Sequence, residues 1–313
     1  MTPFTFADVR EQTYKPRDAW WTVFLVDPLA GRLVVVTANR TSITPNQLTL
    51  GAGVLGLASA ACFAMATWPW LVAGALLFHL SFVLDCMDGK IARLKGTGSV
   101  FGVWADFVFD RIRFFGCMLA LLIGQWAHTG EVVYLLLAPV ATFVDMLRYL
   151  NGPEVAKVRR TMRWQLKAAA LGHRVEAEHG DAESTDHDDA GSVDPGEETE
   201  EGARGVEAPR KEAVADVNAG FGARFRGYER VRASLLRSRV RPHLFSGIEF
   251  EMFVCVVAPL TAVVSLFTPW DNLVVPVVVF SVFALLLFEA VLVYKLWLAT
   301  RSFAREMARL ADG

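Results

Sequence analysis

An all-α polytopic membrane fold, a bundle of six transmembrane helices, is the class this sequence predicts, and three observations carry the prediction. Of the 313 residues 53% are hydrophobic and the mean hydropathy is +0.35, yet the formal charge is only −2; that balance argues against one ordinary soluble domain. The apolar residues gather into nearly uncharged runs at 48–68, 71–84, 114–126, 132–144, 253–267 and 273–293, several of them near the ~20 residues a spanning helix needs. Lys and Arg fall in alternate connections between these runs, the pattern of a chain threaded back and forth through a bilayer.

Residues 1–46 precede the first span. The opening "MTPFTFADVREQTYKPRD" is polar throughout, so no cleavable signal peptide is expected. "AWWTVFLVDPLAGRLVVV" is apolar but interrupted by Asp27, Pro28, Gly31 and Arg32; it reads as too broken to cross and as a cytoplasmic segment lying against the membrane. In "TSITPNQLTL" Pro45 and Asn46 stand just ahead of the apolar periodicity and mark a turn and a helix start.

Helices one to four occupy 47–150, a basic segment 151–174, an insert 175–216, a second basic segment 217–245, helices five and six 246–298, and a tail 299–313. "ATWPWL", "GQWAHTGE" and "FTPWDN" contain no Lys or Arg, whereas the other side holds Lys90, Arg93, Lys95, Arg111, Arg113, Arg148, Lys157 and the tail. Both termini are therefore expected in the cytoplasm of a plasma-membrane protein, with Trp68, Trp70, Trp126 and Trp270 as an aromatic belt at the opposite face.

The insert carries 15 Asp and Glu against Arg204, Arg210 and Lys211, the composition of a disordered segment. The remainder has 28 basic and 18 acidic residues. The flanking "KVRRTMRWQLK" and "RFRGYERVRASLLRSRVRPH" read as basic helices, either as a positive-inside anchor or as a surface for anionic headgroups or a phosphorylated substrate. No nucleic-acid partner is expected.

Within this apolar chain "LDCMDGKIARLKGTGSVFGVWADFVFD" holds four aspartates, although a bilayer centre disfavours each ionised carboxylate by at least ~2.5 kcal/mol. Asp85 and Asp88 are three apart at the cytoplasmic end of the second span; Gly102, Asp106 and Asp110 recur every fourth residue at the start of the third. Each set shares a helix face. The Gly-rich "LKGTGSVF" turns one helix back along the other, so the four carboxylates converge. Like charges at that spacing need cations among them, and an oxygen-only donor set favours Mg²⁺ or Mn²⁺ over zinc. Two Mg²⁺ ions would suit four aspartates and a pyrophosphate. Gly89 and Gly102 leave room for a ligand beside the helix backbones; Arg93 and Ser99 could bind its phosphates.

Asp85-x2-Asp88-Gly89-x2-Ala92-Arg93-x8-Gly102-x3-Asp106-x3-Asp110 resembles the signature of the CDP-alcohol phosphatidyltransferase family, position for position. "ITPNQLT" is similar to the start of that family's first helix. The resemblance implies six transmembrane helices, a cytoplasmic-facing polar cavity, and attack of an acceptor hydroxyl on the β-phosphorus of a CDP-linked alcohol, typically CDP-diacylglycerol, with release of CMP. It further implies that Asp85, Asp88, Asp106 and Asp110 bind metal, that Asp110 is also the catalytic base, and that Asn46, Thr49, Asp85, Gly89, Arg93 and Gly102 bind the donor, to which the Ser99 hydroxyl is added from its place in the turn. The bilayer and a second copy of the chain are further expected partners.

Two other classes compete. A cation channel would carry its carboxylates across the membrane, whereas these cluster at one face beside Arg93; a scaffold built on the acidic insert leaves the intact motif without a purpose. For the acceptor, Arg111, Arg113, Arg148, Arg239 and Arg241 suit a phosphate-bearing alcohol. Glu249, with Glu251, would either orient its hydroxyls or pair with Arg239 and Arg241. "KPRDAWW...DPLAGRL...RTSITPNQLT" resembles the opening of prokaryotic relatives that join inositol phosphates, which raises an alternative: a soluble CDP-polyol such as CDP-inositol as donor and a polyol phosphate as acceptor. Asp145 with Arg148, and Glu289 with Lys295, read as ion pairs, although water is as good a partner for Glu289. His79 reads as a packed, hydrogen-bonded residue, His243 as a ligand candidate, and the four lone cysteines as packing residues.

Overall fold

The computed structural model describes residues 3–180, 234–241, 245–268 and 272–312. Eight helices are distinguished among them: α1 Phe6–Thr13, α2 Asp27–Arg40, α3 Pro45–Ala64, α4 Trp68–Lys95, α5 Val100–Thr129, α6 Val133–Gly180, α7 Gly247–Leu266 and α8 Val274–Asp312. The described residues form no sheet; an isolated parallel bridge joins Asp18 to Val240. The chain divides into two compact units, Met1–Gly152 with Gly227–Leu292, and Pro153–Arg226 with Val293–Gly313.

In the first unit each of the six expected spans begins or contains a helix. α3 starts where Pro45 was read as a start signal, and a capping box holds it: the Gln47 N–H donates to the Thr44 hydroxyl and the Gln47 side chain accepts from the Thr44 N–H. Small residues along α3 let α4 approach closely, and hydroxyls tie the two together, Ser59 to the Gly74 carbonyl (2.8 Å) and Ser81 to the Ala52 carbonyl (2.7 Å). Phe63, Phe78, Phe114, Leu121, Phe250 and Leu285 are fully buried between helices. The outward faces are as apolar as the core, with Leu57 75% exposed, the exterior expected of a protein whose solvent is lipid.

The N-terminal stretch corrects an expectation. Six helical stretches are long and apolar enough to cross a membrane: Thr22–Arg40, Pro45–Ala64, Trp68–Lys95, Val133–Ala169, Gly247–Leu266 and Val274–Leu310. The first of these was read as too broken. Its apparent breaks do not interrupt the helix, because Pro28 sits in the first turn of α2, where no amide donor is needed, and because Asp27 is neutralised by Lys90 (3.0 Å) and Arg239 (3.3 Å). A π-type turn, Thr22–Val26, leads into α2. Conversely α5, expected as the third span, is absent from that set: its first half carries Asp106, Asp110, Arg111 and Arg113.

In the second unit Val155, Met162 and Leu166 are buried along one face of α6 while Lys157, Arg160, Arg163 and Lys167 are exposed. Arg301 stacks 3.8 Å over the Trp297 ring of α8. Trp68, Trp70 and Trp126 are exposed. Trp270, His243, most of the acidic insert and most of the second basic segment lie outside the described residues.

Candidate active site

α4 ends at Gly96, whose φ of +64° places it in the left-handed region that glycine enters without strain. Three residues on, the Ser99 hydroxyl accepts from the Gly102 N–H (3.0 Å) and starts α5. This turn sends α5 back along α4 and brings Asp85, Asp88 and Asp106 together, one oxygen of each lying within 4.8 Å of the others. A cavity of ≈ 230 Å³ opens over them, lined by all four aspartates, Gly89 and Arg93. Thr13, Tyr14, Lys15, Asp18, Thr22 and Asp27 form its N-terminal wall, and Arg111, Tyr149, Ile248 and Glu251 complete it.

The four aspartates are not equivalent. Arg113 donates to Asp85 (3.1 Å) and to Asp110, so these two have a protein counter-ion. Asp88 accepts from the Thr49 hydroxyl, and Asp106 Oδ1 is buried without a hydrogen-bond partner; neither is in an ion pair among the described residues. A hard divalent cation fits such a site: the donors are all oxygens, two charges lack compensation, and one oxygen lacks any partner.

Arg113 reaches this position because residue 56 is glycine. A Cβ there would stand 2.7 Å from Arg113 Cγ, so the bare backbone of α3 makes the groove in which the arginine stem lies. Arg113 was expected to contact an acceptor; it lies instead within the carboxylate cluster.

The other arginines assigned to an acceptor phosphate are also committed to carboxylates. Arg111 bridges Asp145 (3.3 Å) and Glu251 (2.5 Å) and lies 3.8 Å from the Tyr149 ring centroid; Tyr149 donates to the same Glu251 oxygen (2.9 Å). Arg148 pairs with Glu289 (3.5 Å), which also accepts from Asn151 (2.6 Å). Arg239 pairs with Asp27, and Arg241 with Asp18 (3.5 Å). These contacts replace the expected pairing of Asp145 with Arg148. The physical reason is burial, since a charge removed from water has to be compensated where it lies.

Glu249 is fully buried and outside the cavity lining. Its carboxylate accepts from the Ser246 N–H (3.0 Å) and hydroxyl (2.7 Å), capping α7. Ser246-x-x-Glu249 is a capping-box spacing, a local signal that was readable and that neither the acceptor reading nor the pairing with Arg239 and Arg241 used. Asn46 and Ser99 are exposed and, like Gly102, do not line the cavity. His79 accepts from Trp21 Nε1 (3.4 Å), a packed histidine as expected. The four cysteines are unpaired, and three are buried.

The N-terminal wall is the largest part of the site that sequence reasoning missed. A strap at residues 239–241 holds it. The Asp18 N–H donates to the Arg239 carbonyl and the Arg241 N–H to the Asp18 carbonyl, both at 2.9 Å. The Arg239 guanidinium donates to the Lys15 carbonyl (2.9 and 3.2 Å) and lies 4.7 Å from the centroid of the Tyr14 ring. Tyr14 donates to the Asp27 carbonyl (2.8 Å); burial, and then the Asp27 charge, push its phenol up from the ordinary value. Asp18 and Asp27, two acids beside an apolar run, were the available signal.

Residues 42–171 match the CDP-alcohol phosphatidyltransferase family. A bifunctional IPC transferase and DIPP synthase of Thermococcus kodakarensis is 34% identical over 114 residues, 36% of this chain and 23% of that protein. A phosphatidylinositol phosphate synthase of Corynebacterium glutamicum is 33% identical over 88 residues (28% and 37%), and an archaetidylinositol phosphate synthase of Aeropyrum pernix 40% over 76 residues (24% and 37%). The matches thus span less than two-fifths of these relatives' lengths. The four aspartates, Gly89, Arg93 and Gly102 all lie inside the stretch that is similar to the CDP-alcohol phosphatidyltransferase family.

Proposed function

We propose that the chain transfers a substituted phosphoryl group from a CDP-linked alcohol to the hydroxyl of a polar acceptor, releasing CMP. The observation that carries this reading is the unpartnered, buried oxygen of Asp106 beside oxygens of Asp85 and Asp88, in a cavity that also presents Arg93 and Gly89. On this reading Asp85, Asp88 and Asp106 hold Mg²⁺ or Mn²⁺, and Asp110 belongs to the same metal cluster. When bound, the cation supplies charge neutralisation and polarises the transferring phosphoryl group.

The remaining work falls to side chains. Arg93 and the open backbone at Gly89 bind and orient the donor's diphosphate. Thr49 fixes the Asp88 carboxylate through its hydroxyl. The acceptor oxygen attacks the β-phosphorus, the bond from that phosphorus to CMP breaks, and the acceptor's proton passes to Asp110, which Arg113 orients through Oδ1. Asn46, Ser99 and Gly102 lie outside the cavity lining and act, on this reading, at its approach.

An inositol phosphate is the favoured reactant. The N-terminal resemblance to proteins that join inositol phosphates, together with the match to a bifunctional IPC transferase and DIPP synthase, tilts the donor slightly toward CDP-inositol and away from CDP-diacylglycerol. The basic connections between spans favour a cytoplasmic site. The test is CMP release by purified protein with Mg²⁺, each donor being paired with inositol phosphate, glycerol phosphate, inositol and serine. CMP release with inositol phosphate is expected; no release from any pair would overturn the reaction class.

A further inference from the structure

We infer that Lys15 binds phosphate in this cavity, as a second cationic contact for the donor's diphosphate beside Arg93, and that Arg239 is its positioning residue; the inference rests on the proposed CDP-linked donor.

Four basic side chains line the cavity. Lys90 is neutralised by Asp27 at 3.0 Å, and Arg111 by Asp145 and Glu251. Lys15 and Arg93 enter no ion pair among the described residues. These two cations belong to one wall: Arg93 Nε donates to the Thr13 carbonyl (3.2 Å), two residues before Lys15. That bond leaves the terminal nitrogens of Arg93 without a hydrogen-bond acceptor among the described residues while fixing the guanidinium beside the turn that carries Lys15.

The same cavity holds two carboxylates, Asp88 and Asp106, that are in no direct ion pair among the described residues. A site with uncompensated charge of both signs is complemented by a ligand that brings both, and a diphosphate with a divalent cation does so. Lys15 lies outside the residues 42–171 that match the family, so the wall adds to the motif a contact the motif does not contain.

A lysine on a free loop would be a poor ligand, because ordering its backbone and side chain opposes binding. Here the backbone is already held. Arg239 gives the Lys15 carbonyl two hydrogen bonds, pairs with Asp27 and covers the Tyr14 ring. It does so with its own φ at +61°, a left-handed conformation that is sparsely populated for a residue with a Cβ and persists where surrounding contacts over-determine it.

The test measures binding of CDP, inorganic pyrophosphate and cytidine to the full chain in detergent with Mg²⁺, by isothermal titration. Lys15→Gln is expected to weaken CDP and pyrophosphate by about tenfold or more, the usual loss of a charge-assisted contact, and to leave cytidine unchanged; Lys15→Arg is expected to retain binding. Arg239→Gln should weaken CDP severalfold alone and less than twofold in the Lys15→Gln background. Lys15→Gln that binds both phosphates within twofold of the unsubstituted chain would overturn the role of Lys15. Full additivity of the two substitutions would overturn the positioning role of Arg239. Lys15-dependent binding of pyrophosphate by a chain that ignores CDP would uphold the phosphate site and instead remove the CDP-linked donor.

Discussion

Arg113 is hydrogen-bonded to Asp110, one turn earlier on the same helix, and its other terminal nitrogen reaches Asp85 on α4. An internal cation therefore occupies two of the four carboxylates. Two unit charges 4 Å apart interact by roughly 4 kcal/mol at an effective dielectric constant of 20, so Arg113 opposes a metal at the neighbouring oxygens. Arg113→Gln should bind Mn²⁺ about tenfold more tightly, read by electron paramagnetic resonance, while turnover falls at least tenfold as Asp110 loses its support. Weaker Mn²⁺ binding would show that Arg113 mainly orients the ligands.

Removing the cation should abolish the reaction. EDTA is expected to stop CMP release, Mg²⁺ or Mn²⁺ to restore it, and Asp106→Asn to lower Mn²⁺ affinity by about tenfold or more through loss of a charged ligand. Undiminished turnover after exhaustive chelation contradicts the metal reading.

Asp110→Asn separates base from ligand. It keeps the shape and one oxygen but removes basicity, so turnover should fall by ~10²–10⁴ while CDP binding survives. Asp85→Asn should weaken cation and CDP binding together. Equal loss of CDP binding in both variants would make Asp110 chiefly a ligand.

Arg148 tests whether the paired arginines serve structure. Its partner Glu289 is 4% exposed, and Arg148→Ala removes the arginine contact from that buried carboxylate while the bond from Asn151 stays. Stability should drop by ~1–3 kcal/mol, seen as a lower thermal midpoint in detergent, with the acceptor KM within twofold. A KM rise of tenfold at unchanged stability would return Arg148 to the acceptor pocket.

The features visible in the sequence are local ones. The aspartate spacing, the glycine turn and the apolar runs depend on neighbours within a few residues, and α3 to α8 and the Asp85, Asp88 and Asp106 cluster follow from them. Partners far apart in the chain were not legible: Arg111 meets Glu251 across 140 residues, and Arg239 meets Lys15 across 224. Arg111, Arg148, Arg239 and Arg241 looked like free cations because the carboxylates that neutralise them lie far away in the chain. The N-terminal helical stretch looked broken for a related reason, since Lys90 and Arg239, which pair with Asp27, lie far from it in the chain.

The strap that joins Asp18 to Arg239 and Arg241 also orders events during synthesis. A nascent chain can insert α3, α4 and α5 and assemble the aspartates early, from contacts close in sequence. Its N-terminal wall can meet Arg93 and Lys90 at that stage, but it gains the contacts of Arg239 and Arg241 only after residue 241 has left the ribosome. The aspartate cluster can thus be complete in a chain whose N-terminal wall still lacks its strap, and fastening that strap belongs to the late, long-range phase of folding.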